Sequence, residues 1–446
     1  MKYENYSLTP DAVWFSSIPS TWRATKMREV FSERKEKVSD KDYAPLSIGK
    51  MGVVPQLETA VKTNNGDNRK LIRKGDFAIN SRSDRKGASG ISEYDGSSSL
   101  IITVLKPHDE LNGKFYHYLL RSHYFTEEFY RNGRGLVSDL WTTRWNEMRN
   151  IYIPVPPRDE QDQLVRFLDW KVSTINKLIS VKKREIEKLE ELKRSRISYL
   201  IMGQTEGISQ RDTKVSWVKS IPSHWSEKSL IQYAEEQQIK NTGMAEDNLL
   251  SLSYGKIVNK DINTTDGLLP ASFEGYQIVH DGNIILRLTD LQNDHKSLRT
   301  GLATQTGIIT SAYTCLKART GILPEYLQLE LHVADLCKVF YGMGGGVRQS
   351  IGFKDIRGML IAIPPVEEQR HILELVHDME DPINREIEKY REIISALEDL
   401  KRRIIADVVT GKIDVRGVEI PEYEFVEEVD TDETAENSDN AEDEEN

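Results

Sequence analysis

Two stretches of the chain place an apolar residue at steps of three, four or seven, with charge between. In the first, Leu164, Leu168, Val172, Ile175, Ile179, Ile186 and Leu189 form one stripe beside runs such as Lys182-Lys183-Arg184-Glu185. That is the period of an amphipathic helix. Pro156-Pro157 disfavours helix just before it, Asp159-Glu160 supplies an acidic first turn, and Gly203 is placed to cap the end. The second stripe runs through Ile372, Leu375, Met379, Ile383, Ile387, Ile394, Leu397 and Ile404, with Pro382 expected to kink or restart the helix. Some 40 residues at about 1.5 Å each make a rod of about 60 Å. One stripe on each rod calls for one partner helix, which predicts that the two pack on each other as a coiled coil. Parallel packing would crowd the preceding domains at one end, so the expected pairing is antiparallel with pseudo-two-fold symmetry.

Ahead of each helix lie short β-rich runs, such as Ile101 to Leu105 and Ile284 to Leu286, Gly and Asn turns, and an aromatic helical segment from Phe115 to Phe129. These predict compact globular domains of α/β or α+β type. The two halves are copies. Trp14, Ile18-Pro19-Ser20 and Trp22 recur as Trp217, Ile221-Pro222-Ser223 and Trp225, at an offset of 203. Leu46-Ser47 and Gly49-Lys50 recur as Leu252-Ser253 and Gly255-Lys256, and Ile153 to Gln161 recurs as Ile361 to Gln369 at an offset of 208. From Trp145 to Gln204 the second copy, Phe353 to Lys412, aligns without a gap. Such self-similarity marks an internal duplication. The expected order is a globular domain over 1–155, a helical region over 156–205, a second globular domain over 206–363, a second helical region over 364–415, and a tail over 416–446.

Composition sharpens this picture in two places. The net charge of −11 comes from the tail: Glu419 to Asn446 holds 14 acidic and no basic residues, leaving 60 basic and 57 acidic side chains in the rest, a balance of +3. So acidic a tail is expected to be disordered, and the charge of the body does not exclude a nucleic-acid partner. Mean hydropathy is −0.53, no run approaches the roughly 18–20 apolar residues of a membrane helix, and the N-terminus lacks an apolar signal region. The cytoplasm is the expected compartment, with no membrane partner. Cys315 and Cys337 are too few for a disulfide framework and are expected to be buried small side chains.

The order of globular domain, Pro-Pro-x-x-Glu-Gln, long charged helix, and the same again resembles the specificity subunit of type I restriction-modification systems. The residues that carry the likeness are the two Ile-Pro-Ser-x-Trp sequences at Ile18 and Ile221, with Pro156 to Gln161 and its twin Pro364 to Gln369. The resemblance covers nearly the whole chain, the acidic tail being an addition. It implies two target-recognition domains, each reading one half of a split double-stranded DNA sequence. It also implies helices that set the spacing and dock two methyltransferase subunits, with restriction and translocase subunits joining them. S-adenosylmethionine, Mg2+ and ATP are then cofactors of those partners, and none belongs to this chain.

Sequence reading needs side chains at base edges and cations at phosphates. In the first domain Lys62 to Lys86 holds Lys62, Arg69, Lys70, Arg73, Lys74, Arg82, Arg85 and Lys86 against three acids, a local balance of +5. The loop Arg131-Asn132-Gly133-Arg134-Gly135 allows close backbone approach, and Arg144 lies between Trp141 and Trp145, two indoles expected in the core. The second domain offers Lys256, Arg287, Asn293, His295, Lys296 and Arg299, then Gly342 to Gly346 followed by Arg348-Gln349-Ser350. The charges of Lys182 to Arg196 and Arg385 to Arg403 are mixed in sign and read mostly as solvated helix faces, with the remainder expected to meet partner subunits.

Enzyme classes find little support. Gly342 to Gly346 is preceded by a helical segment and followed by Val347-Arg348-Gln349, the wrong context for a phosphate loop. Pro364-Pro365 lacks the Asn or Asp before it and the aromatic after it that an amino-methyltransferase motif has, and there is no H-E-x-x-H or G-x-S-x-G. The expected function is non-catalytic DNA recognition. The alternative is a coiled-coil adaptor whose globular domains bind other proteins.

Overall fold

Both apolar stripes lie on single long helices. The computed structural model describes residues 2–427 apart from 58–65, 83–84, 109–110, 136–140, 206, 263–269, 271, 292–293, 295–297 and 344–349. Its helices are α1 (Gly113–Arg121), α2 (His123–Arg131), α3 (Trp145–Met148), α4 (Arg158–Ile201), α5 (Pro324–Leu336), α6 (Phe353–Ile356) and α7 (Val366–Val409). α4 and α7 have 44 residues each. Pro382 does not interrupt α7. Pro382 and Asp378, whose carbonyl loses its N–H partner, are both exposed, so water can take the bond.

The described residues gather into two compact units, one drawn from Met1–Lys183 and Tyr390–Asp430, the other from Arg184–Lys389. Each unit therefore contains one half of each long helix. In the first, Leu164, Val165 and Leu168 of α4 share a core with Val408 and Val409 of α7. Lys401 Nζ donates to Asn176 Oδ1 at 3.3 Å, and Lys182 Nζ lies 4.2 Å from the centre of the Tyr390 ring. Numbers rise along one helix as they fall along the other, so the pairing is antiparallel. In the second unit Ile197 and Ile201 share a core with Ile372 and Val376, and Lys193 Nζ donates to Asn384 Oδ1 at 3.2 Å. The order is antiparallel there too.

Each unit repeats the same sheets, strand for strand. The first has a four-stranded sheet in the order Ser89–Ile91, Phe77–Asn80, Ile102–Pro107, Phe31–Glu33, and the second has Thr300–Leu302, Ile284–Leu286, Thr314–Ala318, Ala234–Glu236. A three-stranded sheet (Gly96–Ser98, Arg69–Ile72, Lys37–Val38) matches Gly307–Ile309, Gln277–Val279, Ile239–Lys240. The hairpin Leu46–Gly49 with Gly52–Pro55 matches Leu250–Ser253 with Lys256–Asn259. All the ladders are antiparallel, which makes the domains α+β. The aromatic segment from Phe115 to Phe129 is two helices, because Ser122 ends α1 and caps α2, its side chain accepting from Phe125 N.

Two of the repeated motifs are the joints between helix and domain. Gln161 and Gln369 are buried, and each donates through Nε2 to the carbonyl of the first proline, Pro156 (2.9 Å) or Pro364 (3.0 Å). Each also accepts through Oε1 from the loop before the next domain helix, from Asn112 N (3.0 Å) or Leu323 N (2.8 Å). Glu160 accepts from Tyr3 OH, and Glu368 accepts from Trp225 Nε1 at 2.9 Å. In the Ile-Pro-Ser-x-Trp sequences, Pro19 and Trp22 rest on Gly411 just past α7, while Pro222 and Trp225 rest on Gly203 just past α4. Both glycines have positive φ, 72° and 66°, and a Cβ on either would collide with the proline. Each domain thus sits on the helix end of the other repeat.

Two expectations need revision. Residues 416–427, read as the start of a disordered tail, run along α4 in the first unit. Gln163 Nε2 donates to Val415 O and Val418 O, Ser173 Oγ donates to Glu424 O and accepts from Val426 N, and Lys177 pairs with Glu424 at 2.9 Å. Two of the apolar positions of that segment, Val418 and Ile420, pack on the core. The remainder of the tail lies outside the described residues. Cys315 is buried as expected, but Cys337, at the end of α5, is exposed.

One core group carries a pH signature. Glu330 of α5 is buried and accepts from Ala362 N at 3.0 Å. Burial pushes its carboxyl up to about 8, the backbone bond opposing this. Its pKa is raised on folding, so the stability it contributes is complete below the ordinary carboxylate range and is lost as pH rises towards 8. Glu330→Gln keeps the acceptor and removes the charge. Its melting temperature should gain on the parent between pH 5 and pH 8, in calorimetry across that range; a constant difference would show that Glu330 does not titrate there.

Candidate nucleic-acid interface

In the first unit two loops are stitched together. One follows the strand Phe77–Asn80; the other joins α2 to α3. Arg134 N donates to Thr142 O (2.9 Å), Thr142 N to Arg134 O (3.0 Å) and Thr143 N to Ser81 O (2.9 Å), while Arg82 also bridges to Thr142. Trp141 Nε1 donates to Tyr130 O at 2.8 Å, with its indole against Gly133, where a Cβ would have no room. Tyr130 OH donates to Arg82 O at 3.2 Å, and Lys86 Nζ lies 5.3 Å from the Tyr130 ring centre and 2.5 Å from Glu127. Around this ribbon Arg82, Arg85, Lys86, Arg134 and Arg144 are all exposed. Trp141 and Trp145 are half-buried, and Trp145 packs on the hydrophobic core of the unit as expected. The structure thus brings together five of the cations expected from sequence, with Thr142 and Tyr130, which the sequence did not single out, among the groups that tie the loops.

The other first-domain candidates have different surroundings. Arg69 is buried, and its guanidinium donates to Ser97 Oγ (2.9 Å) and Ser97 O (3.2 Å), with its pKa lowered chiefly by burial. It braces the three-stranded sheet from within. Lys70 points its ammonium at Ile102 O (2.7 Å) near Glu33, and its pKa is lowered, chiefly by burial, with Arg144 among the nearby charges. Arg73 pairs with Asp95 and Tyr43, apart from the ribbon, and Arg131 forms a two-pronged pair with buried Glu128 at 2.7 and 2.6 Å. Lys62 lies outside the described residues.

The second unit stitches the equivalent loops by different chemistry. Arg299 is fully buried. Its Nη1 donates to Arg287 O (3.2 Å) and Thr289 O (2.7 Å), its Nη2 to Asp290 O (3.3 Å) and Asp294 O, and its Nε to Tyr341 OH at 2.9 Å. These account for all five donors of the guanidinium. Asp335, its pKa raised by burial, accepts from Arg299 N at 2.9 Å. Arg299 therefore ties the loop after Ile284–Leu286 to Tyr341, and the expectation that it meets DNA is corrected: no donor remains for a base or a phosphate. Arg287 is buried as well and does not present its charge to a partner. Lys256, at the tip of its hairpin, is exposed. Lys296, Arg348 and Gln349, with Asn293 and His295, lie outside the described residues.

The charged helix faces satisfy themselves locally, as Lys193 with Glu190, Lys389 with Glu386 and Arg402 with Asp399 illustrate. Among the described residues no group of three or more His, Cys, Asp or Glu is placed to hold a metal ion, and no helix is long and apolar enough to cross a membrane.

With this geometry in view, the chain can be compared with known proteins. No family model matches it. A protein of Methanocaldococcus jannaschii assigned as the specificity subunit of the type I restriction enzyme MjaX is 20% identical over a 449-residue alignment, which covers 93% of this chain and 98% of the relative. A chain from a structure describing complex assembly and conformational transition of the type I restriction-modification system superposes with a TM-score of 0.61 at 15% identity, over 89% of this chain and 99% of its own. The HsdS subunit of Thermoanaerobacter tengcongensis aligns at a TM-score of 0.40 and 16% identity, over 89% and 98%. The fold is thus that of a chain from a type I system. In sequence the protein is similar, end to end, to a type I specificity subunit.

Arg299→Met leaves four carbonyls and a tyrosine hydroxyl without their donor. Urea unfolding should show a loss of at least about 3 kcal/mol, since several buried acceptors lose their donor at about 1–3 kcal/mol each. Arg134→Met, on the exposed ribbon, should change stability by less than about 0.5 kcal/mol. Equal effects would mean that Arg299 does not hold the loop.

Proposed function

We propose that this chain is the non-catalytic recognition subunit of a type I restriction-modification complex. Each globular domain reads one half of a split double-stranded DNA target. The paired helices space the halves and dock two methyltransferase subunits and, during restriction, translocase and nuclease subunits. S-adenosylmethionine, Mg2+ and ATP serve those partners. The observation that supports this reading most is the duplication itself: two domains of the same strand order, each with its stitched pair of loops, joined by helices that pair with each other. A chain that must contact two separated DNA segments with one geometry is built economically in this way. The two loop pairs share little sequence and are held by different bonds, so the two half-sites are expected to differ.

In the first domain the exposed cations of the ribbon supply phosphate contacts, which position the protein without reading sequence. Arg134→Ala with Arg144→Ala should weaken DNA binding by the assembled complex about equally on all sequences, and lower the slope of log affinity against log salt by roughly 0.9 for each phosphate no longer engaged. A change of preferred sequence with an unaltered slope would assign these residues to base reading instead.

The encompassing test is to copurify the chain with its methyltransferase partner and to map methylated DNA in cells with and without the gene. A two-part methylated sequence should disappear on deletion. If no methyltransferase accompanies the chain and no methylation changes, the domains bind proteins and the chain is an adaptor.

A further inference from the structure

An apolar seam alone does not fix how two helices are registered, because a slide of seven residues sets apolar side chains over apolar side chains again. Two polar contacts break that degeneracy here. In the first unit Asn176, 7% exposed, donates from Nδ2 to Val426 O (3.1 Å) and accepts at Oδ1 from Lys401 Nζ (3.3 Å), so both ends of its amide are committed. In the second, Lys193, its side chain 15% exposed and 3.4 Å from Glu190 on its own helix, also donates across the seam to Asn384 Oδ1 at 3.2 Å. These are the same two residues of the duplicated helix: Asn176 corresponds to Asn384 and Lys193 to Lys401, each 208 positions apart.

We propose that these two asparagine–lysine contacts are the register lock of the helix pair, and through it determinants of the spacing between half-sites. The second part rests on the recognition function proposed above; the first does not. A seven-residue slide one way sets Asn176 opposite Ile394 and Lys193 opposite His377. The other way it sets Asn176 opposite Val408 and Lys193 opposite Arg391. Either slide strands an amide against an aliphatic side chain, and the second also brings two cations together. The stranded amide is unfavourable at Asn176, which is buried, and the cation pair adds to the cost at the half-buried Lys193. A polar pair in a seam costs some stability and gains a single register in return.

The test uses the full chain with its methyltransferase partner, with Cys315 and Cys337 changed to alanine. Lys182→Cys with Tyr390→Cys then reports register through a short thiol cross-linker. Asn176→Lys with Asn384→Lys sets lysine against lysine at both contacts. Cross-linking should fall about tenfold, and methylation at the parental spacing should fall with it. Adding Lys401→Asn and Lys193→Asn restores each pair in exchanged form and should bring both readouts back to within about threefold of the parent, which a merely structural role for either residue would not predict. If the lysine variant does not fold, the exchanged variant decides alone: its return to the parental cross-link supports the lock, and its failure overturns it. An unchanged cross-link in the lysine variant would also overturn it, leaving the glycine-seated helix ends to set the register. If cross-linking follows the proposal while no version methylates a defined sequence, the lock stands and the recognition function falls.

Discussion

A 44-residue helix with one apolar stripe cannot rest in water, and neither α4 nor α7 has enough of its own domain to cover it. The antiparallel contact between the two helices is the constraint on which the other features depend. In each unit the stripe of one helix completes the core beneath a domain, with Val408 and Val409 joining Leu164 and Leu168, and Ile372 and Val376 joining Ile197 and Ile201. Apolar burial at about 25 cal/mol per Å2 is non-directional. The directional groups are few and repeated: a glutamine at each helix start, a glycine at each helix end, and an Asn–Lys contact on the seam.

These joints explain the short motifs that mark the duplication. Gln161 and Gln369 satisfy a proline carbonyl that lies beyond the helix's own ladder and a backbone N–H of the neighbouring loop, so the angle at which helix leaves domain is fixed by hydrogen bonds. Gly411 and Gly203 admit the Pro and Trp of the Ile-Pro-Ser-x-Trp sequences at a distance that any Cβ would forbid. The residues that join helix to domain are repeated between the halves, while the stitched loops differ in sequence.

What could be read in advance follows the same division. Helix periodicity, the duplication and the antiparallel pairing were legible because they are set by local spacing and by one-stripe arithmetic. The buried state of Arg69, Arg287 and Arg299 was not, because a charged side chain in a glycine-rich or polar stretch has the same composition whether it faces a phosphate or a ring of carbonyls. Only tertiary placement tells the two apart. The segment 416–427 was misread for a related reason. The acidic composition of the whole tail hid the apolar positions Val418, Ile420 and Val426, and the side chains that receive the segment, Gln163, Ser173 and Asn176, lie some 250 residues earlier.

The stitching of the loops has an evolutionary consequence. In both units it engages mainly main-chain atoms: Arg134, Thr142, Thr143 and Ser81 meet through N–H and C=O, and Arg299 grips four backbone oxygens. Arg299 meets positions 287, 289, 290 and 294 through their carbonyls, which every residue type offers, and meets a side chain only at the Asp294 carboxylate, 4.0 Å away. Side chains on such a loop can be exchanged while most of the bonds that fix its path remain, so the surface it displays can change without the fold being rebuilt.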